Sequence, residues 1–523
     1  MPIRAGMFSS LAVILAAALA PSTAVHAEGK PPGLDLVRTD CSGCHQEHNG
    51  GFDRISAIRK TPEGWVMTLF RMRQVHGVVL DDEGRQAIVR YLSDTQGLAP
   101  SESAAGRFAL EERPNAPDID LGPEIGVVCG RCHSLARAAL QRRDEEEWRK
   151  LSHTHLGQWP STEYQQAGRD RPWWQIASGP LPAQLASLYP LSTTAWSEWQ
   201  RHPTADLSGN WVIVGHVPGG RDFFGTGRIS RDAQGAYTAL YQLEDVDGTE
   251  FAGQSRAVVY TGYEWRGSAD VAQRARREVY HVSEDGNRIE GRWFYEDHAE
   301  DGGEWTAVRD LEPAQIVAVL PQSIRAGSTA TVSVVGVGLG AHVSFGEGTS
   351  ASNVRSNPHL IRADVRVDPD AAVGLRTVTA GTLGGGHLAV YRRIDEISVQ
   401  PGYAIARLGG GRVEPVSAQF EALASTRLAD GQLLPLGPIE VTWSSKPHNA
   451  EAARSEDEKY AGYIDRRGRF LPSVAGPNPA REFSGDNVGD LTIIGAIRDG
   501  DREVAAQSHL IVTVQRWITP PIY

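Results

Sequence analysis

Cys41-Ser-Gly-Cys44-His45 and Cys129-Gly-Arg-Cys132-His133 decide how this 523-residue chain is read. The two stretches use all four of its cysteines. C-x-x-C-H is the attachment pattern of c-type haem. Two thiols add to the vinyl groups of one porphyrin, and the adjacent imidazole reaches the iron from the same side. A zinc site and a thioredoxin-like redox pair are the competing chemistries. A redox pair does not need the following His, and signs of export (below) fit haem attachment better. The sequence therefore predicts two covalently bound haem c groups. Cys41, Cys44, Cys129 and Cys132 would attach them, and His45 and His133 would be the proximal iron ligands.

Outward from each motif the chain repeats itself. Arg59-Lys60-Thr61-Pro62-Glu63-Gly64-Trp65 aligns with Arg142-Arg143-Asp144-Glu145-Glu146-Glu147-Trp148. Thr61 and Asp144 are good N-caps, Pro62 suits a first helical position, and the acidic residues favour a helix N-terminus. Each segment is therefore expected to begin a helix whose first turn carries a Trp. Seven residues after each Trp stands a possible sixth ligand, Met72 in the first lobe and His155 in the second. A seven-residue step returns to nearly the same helix face. Met67 and His76 remain alternatives to Met72, and His153 to His155; His48 reads as a surface residue. Of the four methionines, Met1, Met7, Met67 and Met72, none follows the second motif. Bis-His ligation by His133 and His155 is thus the simpler reading there, and His45/Met72 ligation should give the first haem the higher potential. Asp81–Leu92 reads as a closing helix with Ile88, Val89, Tyr91 and Leu92 inward. The stretch Thr95–Gly122 reads as a linker. Helix is expected to fade after Trp173-Trp174-Gln175-Ile176, at Gly179-Pro180 and Pro182.

Residues 1–27 read as a signal peptide: Arg4, the apolar run Leu11–Ala20, and small residues at Val25-His26-Ala27. No later run approaches membrane-spanning length, so no membrane anchor is expected. Cleavage would take the formal charge from −12 to −13. An acidic chain without a Lys/Arg block is a poor nucleic-acid binder. A soluble periplasmic protein follows.

From Gly209-Asn210-Trp211 onward short alternating runs replace helices, and about six strands in about 100 residues suggest an antiparallel barrel. The overall expectation is a multidomain chain. An α-helical dihaem cytochrome c domain (28–185, lobes near 28–98 and 120–185) precedes an antiparallel β-barrel (200–312). Two immunoglobulin-like β-sandwich domains follow, an IPT/TIG-like one (313–393) and a final one (394–523). No G-x-S-x-G elbow, H-E-x-x-H helix or phosphate loop is present, and Leu408–Arg412 reads as a turn.

This order of domains, with Trp65…Met72 and the run from His155 to Tyr164, resembles the large α subunit of quinohaemoprotein amine dehydrogenase. The resemblance implies a periplasmic αβγ heterotrimer. A primary amine would react at cysteine tryptophylquinone in a small γ subunit, and a β-propeller β subunit would complete the assembly. The α-subunit haems would then pass electrons to a soluble cytochrome c or blue copper protein. With all four cysteines committed to haem, the quinone must lie on another chain. Two other readings compete: a periplasmic dihaem enzyme of peroxidase type, and a dihaem module docking to a different dehydrogenase.

Overall fold

A short strand pair joins the two helical lobes. In the computed structural model, which describes residues 32–130, 133–159, 172–311, 313–410, 413–482 and 485–514, β1 (Ile58–Lys60) runs antiparallel to β2 (Gln141–Arg143). Arg59 pairs with Arg142, Ile58 with Arg143, and Lys60 with Gln141. Because Arg59 and Arg142 are equivalent in the repeat, this register sets a local two-fold relation between the lobes. The expected signal peptide, Cys132, the run from Pro160 to Tyr164 and the Gly411-Arg412 end of the expected turn lie outside the described residues.

Each strand leads into a capped helix. In α1 (Pro62–His76) the Thr61 hydroxyl accepts the Gly64 N–H at 3.4 Å, and Gly77 ends the helix at φ 70°. That left-handed conformation suits Gly, which has no Cβ to clash. A second helix of the first lobe, α2 (Asp82–Gln96), is capped by Asp81 and buries Ile88, Val89 and Leu92, with Tyr91 half-buried. In the second lobe α3 (Gly122–Cys129) ends at the attachment motif. The helix α4 (Glu145–Gln158) is capped by Asp144, which accepts from Glu147 N–H at 2.7 Å. Trp65 packs with Val37, Leu69 and Ile88, and Trp148 with Ile125, Val128 and Leu181.

Thr95–Gly122 is not a loose linker. It contains helical turns at Pro100–Ser103 and Arg107–Leu110, and it buries Leu98, Ala99, Ser103 and Glu111. Its small residues allow close approach, and Glu102 is drawn inward by Arg59 (2.8 Å) and Arg142 (3.1 Å) from the strand pair. Nor does helix stop at Gly179: α5 (Trp173–Ser178) is followed by α6 (Pro180–Leu188). Proline in a first turn loses no hydrogen bond, so Pro180 starts a helix here instead of preventing one.

The barrel has eight strands rather than about six. In chain order they are β3 (Gly209–His216), β4 (Asp222–Arg231), β5 (Tyr237–Asp245), β6 (Glu250–Tyr260), β7 (Glu264–Val271), β8 (Arg274–Val282), β9 (Arg288–Tyr295) and β10 (Gly302–Arg309). Neighbours pair antiparallel throughout, and β10 closes on β3 with Arg309 opposite Trp211. Alternation fills the interior with Trp211, Tyr241, Trp265, Tyr280 and Trp305. The Glu278 carboxylate sits among them. It accepts from Ser255 Oγ (2.6 Å), Trp265 Nε1 (2.9 Å) and Tyr241 OH (3.0 Å).

Two further β units follow. In residues 315–391 two four-stranded sheets enclose one core of Val332, Val334, Ile361, Val365, Val378 and Leu388. In residues 396–513 a four-stranded sheet and two three-stranded sheets surround Phe420, Phe470, Leu491 and Leu510. The barrel contacts the first lobe through Asp94, which accepts from Thr261 N–H at 2.7 Å, and the segment between the lobes through Ser103 Oγ against Tyr263 OH at 2.8 Å. Among the described residues no helix is long and apolar enough to cross a membrane.

A candidate dihaem site

The first motif follows a helical turn. Cys41 ends a π-helical turn begun at Val37, and its carbonyl accepts from Cys44 N–H (3.1 Å) and His45 N–H (2.9 Å). This turn gathers both thiols and the imidazole at one place. Cys41 is half-buried against the lobe core while Cys44 is exposed. Burial, with Asp40 nearby, pushes the Cys41 thiol up. In the second lobe Cys129 occupies the matching position, at the end of α3 and against its own core.

Three of the four expected axial residues are imidazoles, and all three are oriented alike. His45 Nδ1 meets Asp53 O at 2.9 Å, His133 Nδ1 meets Ser134 O at 2.9 Å, and His155 Nδ1 meets Leu151 O at 2.8 Å. A carbonyl oxygen only accepts, so a neutral ring donates from Nδ1 and keeps its Nε2 lone pair for a metal. Burial holds His133 and His155 below the ordinary imidazole value, and Arg137 acts on both in the same direction. Both therefore stand neutral near pH 7.

The His133 and His155 rings come together, with centroids 6.4 Å apart and planes at 42°. That gap can be checked against a metal. A metal–imidazole bond of about 2.0 Å, plus about 1.2 Å from nitrogen to ring centre, places two trans rings roughly 6.4 Å apart. The observed separation agrees with that spacing. The residues present fit a bis-imidazole haem.

On α4, Trp148 is buried, Ser152 donates to Ala177 O at 2.8 Å, and His155 continues the same face. His153 points elsewhere: it is exposed and packs edge-on against Trp174 at 4.7 Å. On α1, Trp65, Leu69 and Met72 share a face by the same spacing, with Trp65 and Leu69 buried and Met72 half-buried. Met67 lies about 200° round the helix from Trp65. His76, one turn beyond Met72, is exposed, as is His48.

One group the sequence reading did not single out is His448, Asp490 and His509, whose ligand atoms lie within 4.8 Å of one another. Its two rings are stacked at 3.8 Å and 15°, so their lone pairs run side by side instead of converging. His509 Nε2 is taken up by Asp490 at 2.6 Å, and His448 Nδ1 by Thr492 at 3.0 Å.

Comparison with known proteins covers nearly the whole described chain. The model "Quinohemoprotein amine dehydrogenase A, alpha subunit, haem binding" matches residues 32–196. Models for domains II, III and IV of the same alpha subunit match 204–310, 313–392 and 397–522. No curated protein matches. Among solved structures, a redesigned β-barrel, mFAP1, bound to DFHBI is 14% identical, with 19% of this chain and 91% of that one covered and a TM-score of 0.17. Mouse clustered PcdhgC3 EC1-3 is 11% identical, covering 45% and 86%, with a TM-score of 0.16. Four consecutive matches to one subunit, laid over paired attachment motifs, mean that the chain belongs to the quinohemoprotein amine dehydrogenase alpha-subunit family.

Proposed function

We propose that this chain is the electron-transfer subunit of a periplasmic amine dehydrogenase. It would receive electrons from a cysteine tryptophylquinone on a separate small subunit and deliver them to a soluble cytochrome c or blue copper protein. The observation that carries the proposal is the 6.4 Å placement of His133 and His155. Haem c supplies one-electron storage, and the protein tunes it through axial ligands, burial and hydrogen bonds. Here Cys41, Cys44, Cys129 and Cys132 would hold the two groups covalently. His45 and Met72 would complete the first site, and His133 and His155 the second.

This ligand set argues for electron transfer over peroxidase chemistry. A peroxidase needs an exchangeable axial position, whereas in this reading His155, its ring held by Leu151 O, would fill the position opposite His133. The cysteine count supports a quinone on another chain, since four thiols serve two haems. The remaining surface, a barrel followed by two units read as immunoglobulin-like, is large and carries no catalytic motif. It suits docking of a β-propeller subunit and the quinone subunit in an αβγ assembly. A dihaem module serving a different dehydrogenase would share the site and differ in its partners.

The test is purification of the chain from its native periplasm with whatever accompanies it. The proposal expects two covalent haems per chain, a co-purifying small subunit with quinone absorbance, and an N-terminus beginning near Glu28. A chain that purifies alone with peroxide-reducing activity would contradict it.

A further inference from the structure

The core between the lobes holds more positive charge than its carboxylates can balance. Lys60 is 4% exposed. Its ammonium meets Thr68 Oγ1 at 2.7 Å and lies over the Trp65 ring at 5.2 Å. No carboxylate among the described residues is within ion-pair distance of it. Arg143, also 4% exposed, is its equivalent in the repeat and lies over the equivalent Trp148 at 5.7 Å. Arg143 shares one buried carboxylate, Glu147, with Arg54 and Lys150. At the position of Glu147 the first lobe has Gly64, where a Cβ would lie 2.9 Å from the Lys60 Cβ. The first lobe thus makes room for the Lys60 stem and supplies no counter-charge. Arg71, half-buried on α1 beside Met72, has no carboxylate partner among the described residues.

A buried ammonium whose one hydrogen-bond partner is a hydroxyl is costly, because burial removes its hydration and no carboxylate is in ion-pair contact with it. Burial, with Arg143 and Arg71 nearby, outweighs the opposing Glu147 carboxylate and pushes the Lys60 amine well below its ordinary value. Lys60 is bonded to Thr68, one turn before Met72 on α1, and Arg143 is paired with Glu147, about two turns before His155 on α4, so both cations contact the helices that carry the candidate axial ligands. Two haem c groups bring four carboxylates in all. We propose that Lys60 and Arg143, with Arg71, bind the haem propionates at the seam between the lobes. This rests on the dihaem reading above. The arrangement has a second consequence: fixed positive charge beside the haems favours the reduced iron and holds both potentials up.

The measurement is a spectroelectrochemical titration of the assembled complex carrying Lys60→Met, Lys60→Arg, Arg143→Met or Arg143→Lys. The expected result is a downward shift of at least one midpoint potential in each Met variant, largely restored in the charge-retaining variant at the same position. A packing role would not produce that pattern, since Met fills a similar volume. Two haems with potentials unmoved by either Met substitution would overturn the clamp and leave the dihaem reading intact. A wild-type chain without two covalent haems would overturn both. If a Met variant fails to assemble, the charge-retaining variants decide. Assembly of both with near-native potentials supports the clamp, whereas their failure to assemble too shows a role in shape and overturns it.

Discussion

In the proposed site His155 would bind iron through the ring nitrogen that does not face Leu151. Its replacement by Ala is expected to turn the second haem into a five-coordinate or water-ligated form, visible in the absorption and electron paramagnetic resonance spectra. His153→Ala should leave both spectra unchanged, because that ring rests on Trp174. If the two substitutions exchange effects, the phasing of α4 is wrong. Met72→Ala should abolish the methionine-to-iron charge-transfer band of the first haem, and a retained band would reassign the ligand to Met67. These positions are legible in sequence because a seven-residue step on a helix preserves direction to within about 20°. What sequence could not show is the carbonyl behind each imidazole. Nor could it show that Lys60 and Arg143 share one interior, since that depends on a strand register between segments 83 residues apart.

At the scale of elements, the strand pair and Glu102 fasten the lobes together. Arg59 and Arg142 both reach that carboxylate, which is itself buried. Glu102→Ala would leave two buried guanidinium groups short of a counter-ion. Losing one partner of a buried charge set typically costs roughly 3–5 kcal/mol. Thermal unfolding followed at the haem bands should register a loss of that order; a loss under about 1 kcal/mol would mean the cluster is solvated. The helix starts at Thr61 and Asp144 could be read from their capping side chains. Glu102 could not, because a Ser/Ala/Pro-rich stretch resembles a linker until its burial is known. The barrel shows the same limit. The strand Asp222–Arg231 is interrupted by Gly225 and Gly227, and Glu264–Val271 and Gly302–Arg309 carry charges and Gly within their alternation. Once paired, those glycines are required: a Cβ at Gly225 would lie 2.0 Å from Gln242 O on the neighbouring strand.

Across the whole molecule the barrel meets the last β unit at His216, which bridges Asp222 (2.7 Å) and Glu421 (2.8 Å). Burial alone would lower this imidazole, but the hydrogen bonds to the two carboxylates outweigh it and raise it to about 10. A raised folded-state value stabilises fully below the unfolded value of about 6.5 and is lost as pH rises through the folded one. The contact should therefore weaken between pH about 6.5 and 10, and His216→Gln should remove that part of the pH dependence. Hydrogen exchange of Gly219, whose N–H donates to Glu421 at 3.0 Å, gives a local readout. A flat profile in the wild type would contradict it.

The proposed direction of electron flow is from a quinone subunit into the haems of this chain. Its most direct test is anaerobic addition of a primary amine to the purified complex and to this chain alone, with the reduced-haem α band followed in both. The account predicts reduction of the haems in the complex and none in the isolated chain, because the quinone is proposed to lie on another subunit. Amine-driven reduction of the isolated chain, or its absence from a complex with intact quinone and haem, would contradict it.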